Sequence, residues 1–349
     1  MTTSTTEAPA ALMNAEIREQ PQVWRGLLAS EQYTAAAQRI NAAHPRFVLL
    51  AARGTSDHAA LYAKYLLEVT HQLPVGLVSP STMTAYGARP DLRDVLMIGI
   101  SQSGASPDLI QSLQVARAQG ALTLAVTNNA DSELAAAAEV HLDVLAGTER
   151  AVAATKSYTT QLLALYLLLD RVRGGSGTAA VALPDLGEQL LGQQSDIAAL
   201  AQRYRFAQRL VTTARGYSYP TAREAALKLM ETSYLSAQAF SGADLMHGPL
   251  ALVDAQVPVL TVIADGPGGN AMREVLPRLT GAGADVFTVG TAQAVAESTS
   301  GVVLPVRVPE ELSPILEILP FQQLAMHLAV ARGHNPDAPR GLLKVTQTR

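Results

Sequence analysis

The 349 residues are 48% hydrophobic and 16% charged, with a net charge of −4 and no cysteine, the balance of a water-soluble globular chain long enough for two domains. Lacking cysteine, these residues cannot form disulfides, thiolate metal sites or a cysteine nucleophile. Basic residues are not clustered, which argues against a nucleic-acid face, because backbone phosphates need Lys and Arg gathered on one side.

In chain order, residues 1–10 are Thr-rich and lack both a basic leader and a long apolar core, so they read as a disordered tail of a cytoplasmic protein rather than a signal peptide. Met13 to Ala29 carries apolar residues at helical spacing interrupted by Pro21, which predicts two short helices, or one broken at the proline, within a helical lead-in over 11–40. Phe47 to Ala52 is a compact apolar run leading into Arg53-Gly54-Thr55-Ser56 and then a helix over 59–69. Val75 to Val78 reads as a third strand. Val95 to Ile100 is a buried strand that enters Ser101-Gln102-Ser103-Gly104-Ala105-Ser106, with Pro107 at the first position of a helix ending near Gly120. Leu122 to Val126 is the strand after that. Strands alternating with helices in this way imply a parallel sheet covered on both faces, with ligands beyond the carboxyl ends of the strands. Both hydroxyl-rich turns fall there.

Gly147-Thr148-Glu149 and the small residues Ala151 to Thr155 open a long helix containing Gln161 to Leu169. Its apolar run from Leu162 to Leu169 is well short of the ~20 residues that cross a bilayer. Gly174 to Gly177 breaks the pattern, and a linker is expected over 174–185. The pattern then restarts. Leu210 to Ala214 leads into Arg215-Gly216-Tyr217-Ser218, echoing 52–56, and Val257 to Ala264 leads into Asp265 to Asn270, echoing the strand and turn at 95–106, with Asp285 to Val289 as the following strand. An internal duplication of one α/β unit follows. The second copy has lost the serines of its turn and gained Pro267, so it is the poorer anion cradle.

Several residues suit chemistry. The turn Ser101 to Ser106 aims backbone amides, hydroxyls and a helix N-terminus at one point, which suits a phosphate monoester, although an ordinary turn capping its own helix is the competing reading. It matches neither nucleotide-loop pattern. Of 26 basic residues only Lys64, Lys156, Lys228 and Lys344 are lysine, and a lysine can lose its proton or form a Schiff base where arginine cannot. Glu224, Lys228 and Glu231 stand at i, i+4 and i+7, on one stripe of a helix following a hydroxyl turn. An exposed salt-bridge ladder is the ordinary meaning of such a stripe, and a carboxylate that shuttles a proton between adjacent carbons is the alternative. His247 sits on a glycine-flanked loop, Ser241 to Pro249, and no pair of histidines has metal-site spacing.

The motifs ARGTS, SQSGAS, GTERAVAATKSYTTQL, EAALKLMETSY, HGPLALVD and PRGLLKV, in this order over nearly the whole chain, resemble the tandem sugar isomerase (SIS) family, in particular the isomerase half of glutamine–fructose-6-phosphate amidotransferase. The resemblance implies two flavodoxin-like, doubly wound α/β domains over 41–173 and 186–335, a C-terminal active-site tail over 336–349, and binding of a hexose 6-phosphate or amino-sugar 6-phosphate without cofactor or metal. It places the sugar-phosphate contacts on Gly54, Thr55, Ser56, Ser101, Gln102, Ser103, Gly104, Ser106, Val152, Ala153 and Ala154. It also implies a proton shuttle at Glu231, an active-site lysine at Lys228, a Schiff-base lysine at Lys344, and a ring-opening His247 supplied by the partner in a homodimer. Ala105 and Ala154 depart from the glutamate and serine of the synthase pattern. A glutaminase domain with its cysteine nucleophile is not expected. The chemistry that remains is an amino-sugar-6-phosphate deaminase/isomerase, with a fructosamine-6-phosphate deglycase, an ammonia-dependent synthase-type isomerase or a non-catalytic sugar-phosphate sensor as alternatives.

Overall fold

The computed structural model describes residues 8–192, 194–305 and 308–344. The first half of the chain runs α1 (Ala11–Leu28), α2 (Tyr33–Ala43), β1 (Phe47–Ala52), α3 (Thr55–Thr70), β2 (Val75–Leu77), α4 (Ser81–Thr84), β3 (Val95–Ser101), α5 (Pro107–Ala118), β4 (Leu122–Thr127), α6 (Glu133–Ala137), β5 (Val140–Asp143) and α7 (Lys156–Val172). The second half runs α8 (Leu183–Leu191), α9 (Gln194–Tyr204), β6 (Arg209–Ala214), α10 (Tyr219–Ser233), β7 (Ser236–Ser241), α11 (Gly242–Met246), β8 (Val259–Ile263), α12 (Pro267–Arg273), α13 (Leu276–Gly281), β9 (Val286–Gly290), α14 (Ala292–Ala296), β10 (Ser300–Val303) and α15 (Ser313–Ala331).

Each half builds a five-stranded parallel sheet, with orders β2-β1-β3-β4-β5 and β7-β6-β8-β9-β10. The identical order bears out the internal duplication and the doubly wound expectation. Burial explains which strands were legible in the sequence. The inner strands β3, β4, β8 and β9 are covered almost throughout and read as continuous apolar runs. By contrast β5, β7 and β10 are edge strands with half-exposed positions, and no apolar run announces them.

Four expectations are corrected. Helix α1 passes through Pro21 unbroken. A proline frees the carbonyl four residues earlier, and here the Gln20 side chain donates to that carbonyl, Ile17 O, at 3.0 Å. Of the expected tail, residues 1–7 lie outside the described residues. Ala10, however, is buried and donates to Asn335 Oδ1 at 3.2 Å, and the Leu12 and Met13 amides donate to Asp337, so the C-terminal segment caps α1.

The Gly/Ser stretch is not a free linker. Gly175 and Gly177 donate to the Asp170 carbonyl and carboxylate at 2.8 Å, and α8 starts inside the expected span. Lastly, the expected loop around His247 is mostly the short helix α11, with Ser241 as its N-cap and His247 at its C-cap.

One hydrophobic core joins the halves. It contains Trp24 of α1, Tyr158 of α7 and Phe321 of α15, and buried polar side chains fix their register. Trp24 Nε1 donates to Thr159 Oγ1 at 3.0 Å, Thr159 donates to Gln20 Oε1 at 2.7 Å, and Gln20 Nε2 donates to Gln322 Oε1 at 2.7 Å. Paired in this way, polar groups specify one arrangement without a desolvation loss. Among the described residues, one helical stretch, Glu310–Ala331, is long and apolar enough to cross a membrane, and 83% of its most apolar window is buried inside the fold.

Candidate active site

A cavity of about 310 Å³ opens beyond the carboxyl ends of β1 and β3. It is lined by Gly54, Thr55, Ser56, Ser101, Gln102, Ser103, Ser106, Val152, Ala154, Glu231 and Lys344. Both hydroxyl turns, the small-residue loop, the α10 carboxylate and the tail lysine therefore meet in one place.

The cradle is shaped by its backbone. Gly104 has φ +65°, and a Cβ there would lie 2.2 Å from Ser132 Oγ, so only glycine lets the turn close on α6. The Gly104 amide donates to Ser101 Oγ at 3.1 Å and the Ala105 amide to Ser103 Oγ at 3.3 Å. Ser106 is the N-cap of α5 with Pro107 following, yet its side chain makes no capping bond. The hydroxyl is thus not consumed by its own helix, as the competing reading of this turn required.

Thr55 and Ser56 are committed differently. Ser56 Oγ accepts from Gln161 Nε2 at 3.0 Å. Thr55 Oγ1 donates to Glu224 Oε1 at 3.0 Å and accepts from Lys228 Nζ at 3.0 Å, so it ties the first domain to α10.

The stripe on α10 is not an exposed ladder. Glu224 and Lys228 have side chains 0% exposed and Glu231 22%. Lys228 Nζ stands 2.6 Å from Glu231 Oε2 and 3.3 Å from Glu224 Oε1. Burial opposes its charge, but the two carboxylates outweigh burial and lift its pKa above the ordinary lysine range. Glu224 is steadied from the far side by His58 Nδ1 at 2.7 Å. Glu231, the least buried of the three, is the one that lines the cavity.

The loop at 147–155 is organised by Glu149, which is buried and accepts the Thr155 and Ser157 amides at 3.0 Å and the Ser157 hydroxyl at 2.7 Å. Lys344 Nζ donates to Glu149 Oε2 and to the Ala151 carbonyl, each at 2.7 Å. Burial alone would raise the Glu149 carboxyl, but Lys344 and the amides more than offset it and hold it below the usual range. The tail carrying Lys344 is anchored where the Arg340 amide donates to Tyr234 Oη at 2.8 Å. Beside the lysine Leu342 and Leu343 are 40% and 78% exposed at the cavity. Ion pairing to Glu149, rather than apolar cover, fixes the amine.

Four predicted residues do not line the cavity: Gly104 shapes the turn behind it and Lys228 lies buried beneath Glu231, while Ala153 and His247 stand further off. Ala153 is fully buried behind the loop, and His247 is exposed at the C-cap of α11. Conversely, Arg53, Glu149, Ser157 and His58 belong to the site or its support and were not assigned a role from sequence. Arg53 stood inside a quoted motif, and its charge at a strand end was the signal to use.

In the second copy internal carboxylates take the donors of the corresponding turns. The Gly268 amide donates to Glu310 Oε1 at 2.8 Å, and a Cβ on Gly266 would meet Glu310 at 2.4 Å. Ser218, Thr221 and Ser313 hydroxyls donate to Glu317 at 2.7, 2.9 and 2.6 Å. The donors at this turn therefore serve internal carboxylates, as the poorer cradle of the second copy led one to expect.

The chain is thus a duplicated α/β unit with one open, hydroxyl-rich cradle. The chain belongs to the SIS domain family, whose model matches residues 43–171 and 204–331. It is 36% identical over 95% of its length to glutamine–fructose-6-phosphate aminotransferase (isomerizing) of Gloeobacter violaceus, and 38% identical over 85% to that of Thermosynechococcus vestitus. It covers 58% and 51% of those proteins, so the chain spans about half the length of these relatives. Among solved structures, a chain described as a phosphosugar isomerase from Silicibacter pomeroyi superposes with TM-score 0.84 at 33% identity, covering 93% of this chain and 99% of that one. The C-terminal domain of glucosamine-fructose-6-phosphate aminotransferase from Francisella tularensis shares the fold, with TM-score 0.84 at 24% identity and coverage of 96% and 99%. So does glucosamine-6-phosphate deaminase of Thermotoga maritima, with TM-score 0.76 at 23% identity and coverage of 97% and 100%.

Proposed function

We propose that the chain is a cytoplasmic amino-sugar-6-phosphate deaminase/isomerase that converts glucosamine 6-phosphate to fructose 6-phosphate and ammonia. The observation that carries this reading is the meeting of Glu231, backed by Lys228, with Lys344 and the Ser101 to Ser106 turn around one cavity.

The phosphate sits on the hydroxyls and amides of the turn, which leaves the open-chain carbons to reach α10. Glu231 takes the C2 proton of the opened aldehyde and returns it to C1, which turns the C2 amine into an imine. Lys228, 2.6 Å away, stabilises the carboxylate before the transfer. Water then adds to the imine carbon, and the nitrogen leaves as ammonia. Lys344 serves to hold the keto product as a Schiff base, its amine adding to C2 and the C2 oxygen leaving as water. Glu149 Oε2 and the Ala151 carbonyl, each at 2.7 Å, hold its Nζ at the cavity, and the amine leaves them when it adds to the carbonyl. Ring opening needs a further acid-base group, for which His247 serves from the partner of a homodimer, since its own cavity does not contain it.

Purified protein given a panel of phosphorylated amino sugars should release ammonia from glucosamine 6-phosphate, and Glu231→Gln should abolish both products. Ammonia from a fructosamine 6-phosphate alone identifies a deglycase, and tight binding with no turnover of any member identifies a sensor. Mixed dimers of His247→Ala and Glu231→Gln chains should recover part of the activity. No recovery in verified heterodimers sinks the shared site.

A further inference from the structure

We infer that Glu16, on the lead-in helix α1, is a positioning residue for Lys344, acting through the loop that grips the lysine. The inference rests on the Schiff-base step of the proposed function. Glu16 does not itself line the cavity. It is 4% exposed, and its carboxylate meets the loop at 147–155 from the side of α1. The Arg150 amide donates to Glu16 Oε1, and the Ala151 amide donates to Oε1 at 3.2 Å and to Oε2 at 3.3 Å. Ala151 is thus held from α1 by its amide, and through its carbonyl it holds Lys344 Nζ at 2.7 Å. Beyond it Val152 and Ala154 line the cavity.

Further contacts make α1 a common support for the loop and for the segment that carries the lysine. Asp337, on that segment, accepts the Leu12 and Met13 amides at 3.0 and 2.8 Å. Gln20 Nε2 donates to Gln322, whose own Nε2 donates to the Thr155 carbonyl at 3.2 Å, at the other end of the loop. The residue type at position 16 is informative as well. Burial raises the Glu16 carboxyl, the Arg150 amide opposes the rise, and the neighbouring Glu149 adds to it. Packing alone would be served as well by a neutral side chain, because desolvating a charge cancels much of its attraction. A carboxylate is an acceptor only and takes two consecutive amides at once, whereas a glutamine would turn an N–H donor toward one of them. The carboxylate at position 16 therefore fits a demand on the geometry of the loop.

The test is borohydride trapping with saturating fructose 6-phosphate, read by peptide mass at Lys344. The lysine amine adds to C2, the C2 oxygen leaves as water, and hydride from borohydride adds to C2 of the imine while a proton goes to nitrogen, which leaves a stable secondary amine. Calorimetric titration with inorganic phosphate reads the Ser101 to Ser106 turn separately. The initial rate of adduct formation should fall at least about tenfold in Glu16→Ala and about threefold in Glu16→Gln, which keeps one acceptor, while the Kd for phosphate stays within about twofold of wild type in both. A merely structural role would weaken the two readouts together. An adduct formed at the wild-type rate in the variants, or phosphate affinity lost in step with the adduct, overturns the inference. Should Glu16→Ala fail to fold, Glu16→Gln decides alone by the same two readouts. Wild-type protein that forms no adduct at Lys344 brings down the Schiff-base step and the role of Glu16 with it. An adduct in wild type without the variant pattern removes only the role of Glu16.

Discussion

The two halves share a strand order and differ at the crevice beyond β1 and β3 and its counterpart beyond β6 and β8. In the first, Ser101, Ser103 and Ser106 border an open cavity, and the turn amides of Gly104 and Ala105 donate to the Ser101 and Ser103 hydroxyls rather than to a carboxylate. In the second, Glu310 occupies the turn amides and Glu317 the turn hydroxyls, so the chain's own carboxylates take the donors that a substrate anion would use. The second half contributes in another way, through α10, whose Glu231 reaches the cavity of the first. The duplication thus leaves one turn open and the other occupied, with α10 of the second half reaching the cavity of the first. A βα turn full of donors is an anion site only while no internal acceptor fills it.

The largest effect should come from emptying the first cradle of its hydroxyls. Ser101→Ala/Ser103→Ala removes hydrogen bonds to a charged group, each worth about 1.5–3 kcal/mol. KM for a sugar phosphate should rise on the order of a hundredfold or more with kcat less affected. An unchanged KM would reject the assignment of the phosphate to this turn.

In the second half, burial lifts the Glu317 carboxyl from 4.5 to about 7, against the lowering effect of its three hydroxyl donors. The folded state therefore binds a proton that the unfolded state releases, so stability falls as pH rises from about 4.5 to about 7 and stays reduced above that. Glu317→Gln removes the penalty while keeping groups for the hydroxyls. It should gain on the order of 1–3 kcal/mol at pH 8 and little below pH 5. Urea denaturation of both proteins across this range measures it, and parallel pH profiles would contradict the assignment. Glu310→Ala should cost about 1–2 kcal/mol, because the Gly268 amide loses a charged acceptor, while KM at the first cavity stays as in wild type. A changed KM there would show that the two crevices are coupled rather than separate.

Much of this was legible in the residues themselves. Apolar runs at 47–52, 95–100 and 122–126 marked strands because both faces of an inner parallel strand are buried. Glycine at 104 and proline at 107 marked the turn and the helix start, because backbone geometry there admits few alternatives. The ordered motifs pointed to Glu231, Lys228 and Lys344, and the repeat of turns revealed the duplication. What the order of residues could not express was burial and partnership between residues far apart in the chain. Spacing alone left Glu224, Lys228 and Glu231 as a stripe on a helix. Only packing α10 against α3 buried two of them, brought His58 to Glu224 and turned the stripe toward the cavity. In the same way, the Arg53–Asp108 and Lys344–Glu149 pairs join elements 55 and 195 positions apart, and occupation of the second turn joins Gly268 to Glu310. Such pairs depend on where the folded chain puts charges in low dielectric, and local propensity carries no information about that distance.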